Sequence, residues 1–146
     1  MAKGASISGF PEWLPSERVV EQRVIDTLRK VFELNGFIGI ETRAVETGAS
    51  LLKKGETSKE IYLLSRLQEV GHESDTPIEE RLGLHFDLTV PLSRYVVEHS
   101  GALAFPFKRW QIQKVWRGAR PQEARFRQFV QPDIDLTGAG DLPAHQ

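Results

Sequence analysis

The sequence predicts an α+β fold, and three observations carry that reading. Val20, Val24 and Leu28 recur at a spacing of four, which draws one apolar stripe along an amphipathic helix. Lys108 to Arg117 and Arg125 to Leu136 alternate polar and apolar side chains, the pattern of two strands. Elsewhere helical and strand patterns alternate irregularly, without the even βαβ spacing of a doubly wound sheet.

Taken in order, Met1 to Gly9 is small and polar and reads as a loose arm. Phe10, Trp13 and Leu14 are interrupted by Pro11 and Pro15, which predicts an extended lead-in. Ser16 is a candidate N-cap for a helix running to Leu34, with Ile25, Val31 and Phe32 beside the stripe and Asn35-Gly36 as its C-cap pair. Phe37 to Thr42 reads as a short strand, and Ser50 to Lys54 as a short helix stopped by Gly55. Glu60 to Ser65, rich in Ile, Tyr and Leu, reads as a strand. Gln68 to Gly83, polar and with five acidic residues, reads as a surface loop. Leu84 to Leu88 is a further strand. Pro91 is placed at the first position of a helix with Leu92, Tyr95 and Val96 as its apolar face, closed by Gly101. Gly118 to Ala124 joins the last two strands into an antiparallel hairpin.

The bulk numbers narrow the function classes. A chain of 146 residues suits one domain, and 40% hydrophobic residues, including three Trp and eight Phe, supply a core. The formal net charge of −1 gives no overall basicity that would advertise nucleic acid, although a local basic patch can do that work. The absence of Cys excludes disulfides and thiolate metal sites. His72, His85, His99 and His145 lack metal-ligand spacing. No apolar run approaches membrane length and the N-terminus has no apolar signal region, so the expected location is cytoplasmic.

The hairpin concentrates the polar chemistry. Side chains of a strand alternate between faces, so Arg125, Arg127, Phe129, Gln131, Asp133 and Asp135 share one side of the second strand. On the first strand Arg109, Gln111, Gln113, Val115 and Arg117 share a side, opposite Trp110, Ile112, Lys114 and Trp116. Two readings stand here. The polar side is either a water-washed sheet face or the floor of a pocket. In the second case Arg117, Arg120, Arg125 and Arg127 suggest an anionic ligand, since guanidinium groups grip phosphate in bidentate fashion. Carboxylates and an amide on the same side suit a cationic amine.

The run from Lys114 to Asp135, KVWRGARPQEARFRQFVQPDID, resembles motif 2 of histidyl-tRNA synthetases. Phe86 to Pro91 resembles the Asp-Leu-Thr-Val-Pro segment of eukaryote-like members, and Glu33 to Glu46 resembles motif 1, the family's dimer-forming helix and strand. The similarity spans Phe10 to Asp135. It implies a class II synthetase-like antiparallel sheet flanked by helices, normally homodimeric. It implies a histidine–tRNA ligase, with histidine, ATP and tRNA-His as substrates and Mg²⁺ bridging the phosphates. Histidyl-adenylate forms first, and the histidyl group then passes to the tRNA. By the same resemblance Arg117 is the catalytic arginine on the α-phosphate and attacking carboxylate, Arg125 lies close to the nucleotide, and Asp87, Thr89, Gln131 and Asp135 bind histidine. From the residues alone, Asp87 and Thr89 read first as a helix cap before Pro91. The helix to Leu34 reads as either a core-packing or a pairing surface.

The sequence departs from the family pattern at three places. Ala119 stands where motif 2 carries an acidic residue, and offers neither charge nor hydrogen bond. Ala124 replaces a Gly before Arg125, and Ala44 stands where motif 1 closes on Pro. Motif 3 and the anticodon-binding domain have no counterpart in the 146 residues, so a full catalytic cycle by this chain alone is not expected. The chain reads as a truncated synthetase that pairs with itself or with a longer subunit. The rival readings are a histidine-sensing regulatory subunit of ATP phosphoribosyltransferase and an interaction module without catalysis. ATP and histidine binding separate the three.

Overall fold

The computed structural model describes residues 6–53, 59–69, 75–120 and 125–138. The expected α+β architecture is present: a mixed three-stranded sheet, a small two-stranded sheet and flanking helices. Helix α1 spans Pro15–Leu34. Its cap position is Leu14, ahead of the expected Ser16: Pro15 fits the first turn, where no N–H is needed, and the Leu14 N–H donates to Glu17 Oε2 at 2.9 Å. Asn35 ends the helix and Gly36 follows at φ 78°, a left-handed conformation that a Cβ would strain.

The segment expected as a strand from Phe37 to Thr42 contributes only β1, Ile38–Gly39, which runs parallel to β4. Strand β2, Val45–Thr47, leads directly into α2, Gly48–Leu52, where Thr47 Oγ1 caps Ser50 N at 3.3 Å. Lys54 and Gly55, the expected end of that helix, lie outside the described residues. A Cβ on Gly48 would sit 1.9 Å from the Ile78 carbonyl oxygen, so only glycine lets these two segments meet.

Glu60 to Ser65 is not a strand. It makes one isolated bridge, Leu63 to Gly83, because its partner is only three residues long. That partner is β3, Leu82–Leu84, antiparallel to β2, and it takes the end of the segment expected to be loop. The strand expected over Leu84 to Leu88 stops at Leu84, since the chain bends there to cap the next helix. Helix α3 spans Thr89–Glu98, so Pro91 is its third residue rather than its first, and it ends at His99, before Gly101. Strands β4, Phe107–Trp116, and β5, Gln128–Thr137, form the expected antiparallel hairpin, with Trp116 opposite Gln128 and Phe107 opposite Thr137. The inner end of the arm expected to be loose is held: Gly9 O accepts from Arg127 N at 2.7 Å and Gln128 N at 3.0 Å.

Leu51, Phe86, Leu88, Leu92, Phe107 and Val115 are buried and form the core beside the hairpin. Helix α1 packs on β1, β4 and β5 from the other side. It buries none of its own residues, and a cleft of about 590 Å³ remains between Val24, Ile25 and Leu28 and the hairpin's Ile112, Val130 and Pro132.

Candidate functional site

The hairpin turns its polar side inward. Arg109, Gln111 and Val115 are 0% exposed and Gln113, Arg117 and Gln131 are half-buried, whereas Ile134 and Leu136 on the apolar side are 46% and 40% exposed. The water-washed reading of the polar side is therefore overturned. The reason is tertiary: the 42–46 and 85–92 segments close against that side, while α1 covers the other incompletely. Buried polar groups need partners, and several atoms of this row have them, while Arg109 Nε, Arg109 Nη1 and Gln111 Oε1 find none among the described residues. Gln111 Nε2 donates to Thr42 Oγ1 at 3.1 Å and to Gln113 Oε1 at 2.7 Å, and Gln113 Nε2 donates to the Thr42 carbonyl at 2.8 Å. Thr42 thereby ties the turn after β1 to the middle of β4.

Arg117 follows β4 directly, where Arg117 N still bonds Arg127 O at 2.8 Å and keeps the hairpin in register. Its guanidinium is aimed by three contacts. Nε donates to the Phe86 carbonyl at 3.0 Å, Nη2 reaches Gln131 Oε1 at 3.5 Å, and the plane lies 5.0 Å from the centre of the Phe129 ring. Arg117 and Gln131, two of the sequence-predicted residues, are thus adjacent, and the Phe86 carbonyl brings Asp87 alongside.

Asp87 is 5% exposed, and its Oδ1 accepts from Thr89 N at 3.2 Å and Val90 N at 3.3 Å. The helix-cap role read from sequence is therefore real, with the carboxylate also favourably placed at the positive end of α3. Thr89 opens α3 and is exposed. Asp135 stands opposite Arg109 at the far end of the row, and Asp133 opposite Gln111. Arg125 lies apart from the row, its side chain 56% exposed and 3.5 Å from Glu60 Oε1. Arg127 donates to the Ala119 carbonyl at 3.1 Å, so one of the four clustered arginines braces the hairpin loop. Pro121 to Ala124 lie outside the described residues.

Sequence reading alone missed several supports of the site. His85, 1% exposed, has Nε2 at 2.7 Å from the Lys114 carbonyl, which can only accept, so Nε2 carries the proton. Glu46, also 1% exposed, receives Arg94 Nε at 2.8 and 3.0 Å and anchors α3 to β2. Burial lowers the pKa of Arg94, but the hydrogen bonds and charges of Glu46 and Glu98 outweigh it and hold the guanidinium above its ordinary value. Arg109 is fully buried among carboxylates. Its place on the polar row was the one signal available in the sequence.

No protein-family model matches the chain. Histidine–tRNA ligase of Bifidobacterium longum subsp. infantis is 95% identical over 145 residues, covering 99% of this chain and 31% of the relative. That of Micrococcus luteus is 62% identical over 149 residues, covering 97% of this chain and 32% of the relative. The chain thus spans about a third of the length of the curated relatives it matches. The crystal structure of histidyl-tRNA synthetase from Nostoc sp. PCC 7120 superposes with a TM-score of 0.78 at 43% identity, over 97% of this chain and 30% of that one. Pyrrolysyl-tRNA synthetase from Desulfitobacterium hafniense shares the fold at a TM-score of 0.62 and 14% identity, over 79% of this chain and 38% of that one. By sequence and by fold the chain is similar to one part, about a third, of histidyl-tRNA synthetases.

Proposed function

We propose that the chain carries the histidine and α-phosphate half of a histidine–tRNA ligase active site. The observation that supports this most is the juxtaposition of Arg117 with Gln131 and the Asp87 segment on a buried polar sheet face. In this reading Arg117 grips the α-phosphate of ATP and the attacking histidine carboxylate. Phe86 O and Phe129 hold it in advance, so little reorganisation is needed as charge grows during in-line displacement. Asp87, Thr89, Gln131 and Asp135 hold the histidine. Arg125, exposed and within 3.5 Å of Glu60, swings to the nucleotide.

Mg²⁺ would accompany the ATP and offset the charge of its phosphates. Among the described residues no group of three or more His, Asp and Glu is placed to hold a metal. The exposed Val20, Val24 and Val31 on α1 support pairing with a second copy or a longer subunit.

The test is calorimetric binding of L-histidine and ATP–Mg²⁺ to the 146-residue chain, with Arg117→Ala beside it. Both ligands bind in this reading, and the variant loses ATP affinity by about 10²-fold. Histidine binding without ATP would instead support the histidine-sensing regulator, a reading compatible with Ala119. A folded chain that binds neither ligand overturns both.

A further inference from the structure

Strand β4 is paired with β5 along its whole length, but its other edge is met only in part. Arg117 N bonds Arg127 O, so alternation turns the backbone groups of Lys114 and Trp116 away from β5. Strand β1 meets that far edge at Arg109 and Trp110. Towards the end that leads to Arg117, His85 takes the edge. Trp116 N donates to the His85 carbonyl at 3.1 Å, and His85 Nε2 donates to the Lys114 carbonyl at 2.7 Å. The imidazole thus stands in for the N–H of a neighbouring strand. His85 N donates to Ala44 O at 2.9 Å, which fixes the residue from its other side. The ring is buried 5.5 Å from the Trp116 ring, and Nδ1 has no partner among the described residues, so the polar hold of the ring rests on Nε2. The next residue is Phe86, whose carbonyl accepts from Arg117 Nε at 3.0 Å. The clamp on β4 and the oxygen that aims the guanidinium are therefore on adjacent residues.

We infer that His85 is a positioning residue for Arg117: its Nε2–H fixes the 85–86 segment on the edge of β4 and so holds the Phe86 carbonyl where it aims the guanidinium at a phosphate. This rests on the reading above, in which Arg117 grips the α-phosphate of ATP. His85 is 1% exposed, so it acts through Arg117 and not on the ligand. A ring without the N–H keeps the contact with Trp116 but releases Lys114 O, and the Phe86 carbonyl then shifts relative to Arg117.

The test measures ATP–Mg²⁺ and adenosine, which lacks the phosphates, binding by calorimetry to the 146-residue chain, His85→Phe, His85→Gln, Arg117→Ala and His85→Phe/Arg117→Ala. Circular dichroism checks each fold. His85→Phe weakens ATP about tenfold and leaves adenosine unchanged. His85→Gln, whose amide N–H reaches the place of Nε2, stays within about threefold of the parent chain. Once Arg117 is alanine, His85→Phe changes ATP affinity by less than about twofold, because the group it positions is gone. Unchanged ATP affinity in His85→Phe, an equal loss for both ligands, or a loss that persists without Arg117 overturns the inference while the site reading stands. A folded His85→Gln as weak as His85→Phe overturns it too. Should His85→Phe not fold, heteronuclear NMR of the histidine rings in the parent chain decides. A slowly exchanging Nε2–H on His85 supports the inference, and an Nδ1–H tautomer overturns it. A folded parent chain that takes up no ATP removes the site reading and this inference with it.

Discussion

Arg94→Leu is the most exacting test of how the site is supported. Glu46 has 0% of its side chain exposed, and its main counter-ion is Arg94, whose own side chain is 15% exposed. Leucine keeps much of the packed volume but strands the carboxylate. Arg43, 53% exposed and at 3.4 Å, is a weak substitute. Breaking a buried pair in this way costs about 3–5 kcal/mol, set against a total stability of about 5–15 kcal/mol. With a urea dependence of about 2 kcal/mol/M, the unfolding midpoint should fall by about 2 M. The companion Glu46→Leu/Arg94→Leu removes both charges and should regain most of the loss. Because Arg94 is held above its ordinary pKa, its contribution is complete below the usual arginine range and is lost only as pH climbs through the raised value. The penalty of Arg94→Leu should therefore not fade as pH is raised to about 10. A penalty within about 1 kcal/mol, the worth of an exposed ion pair, would refute the argument that this pair is a buried anchor.

The two roles of Asp87 can be separated. Asp87→Asn retains an oxygen acceptor for Thr89 N and Val90 N, so stability should stay within about 0.5 kcal/mol while histidine affinity falls by about tenfold or more; Asp87→Ala should also lose about 1 kcal/mol of cap energy in urea unfolding. Equal histidine affinity in Asp87→Asn would leave only the cap. Gly48→Ala pushes a Cβ into the Ile78 carbonyl and should cost about 3 kcal/mol or more in the same assay, since backbone cannot yield as a side chain does. A near-neutral Gly48→Ala would mean that this approach is looser than the structure has it.

Much of the site was legible in the chain itself. The polar row from Arg109 to Arg117 and its counterpart from Gln131 to Asp135 follow from strand alternation, and the register of β4 on β5 sets them face to face. Helix α1 was equally plain, because a stripe repeating every four residues is a local property. Motif 2 pointed to Arg117, which the fold places beside Gln131.

Other features depend on partners far away in sequence. Alternation says that a strand has two sides, and not which one is buried. That was decided by Thr42 bonding Gln111 and Gln113, 69 and 71 residues on, and by Phe86 O meeting Arg117, 31 residues on. The start of α3 moved to Thr89 because the buried Asp87 carboxylate could reach two backbone N–H groups, whereas Pro91 alone marks only permission to be helical. Glu60 to Ser65 has strand composition but meets too short a partner to pair along its length. The sequence by itself determined the fold class, the periodic elements and the motif residues, since each is written in near-neighbour spacing. Only the tertiary structure decided that Arg109 is buried, that Asp133 shares it with Asp135, and that Glu46 anchors α3, because burial and charge pairing exist only once distant segments have met.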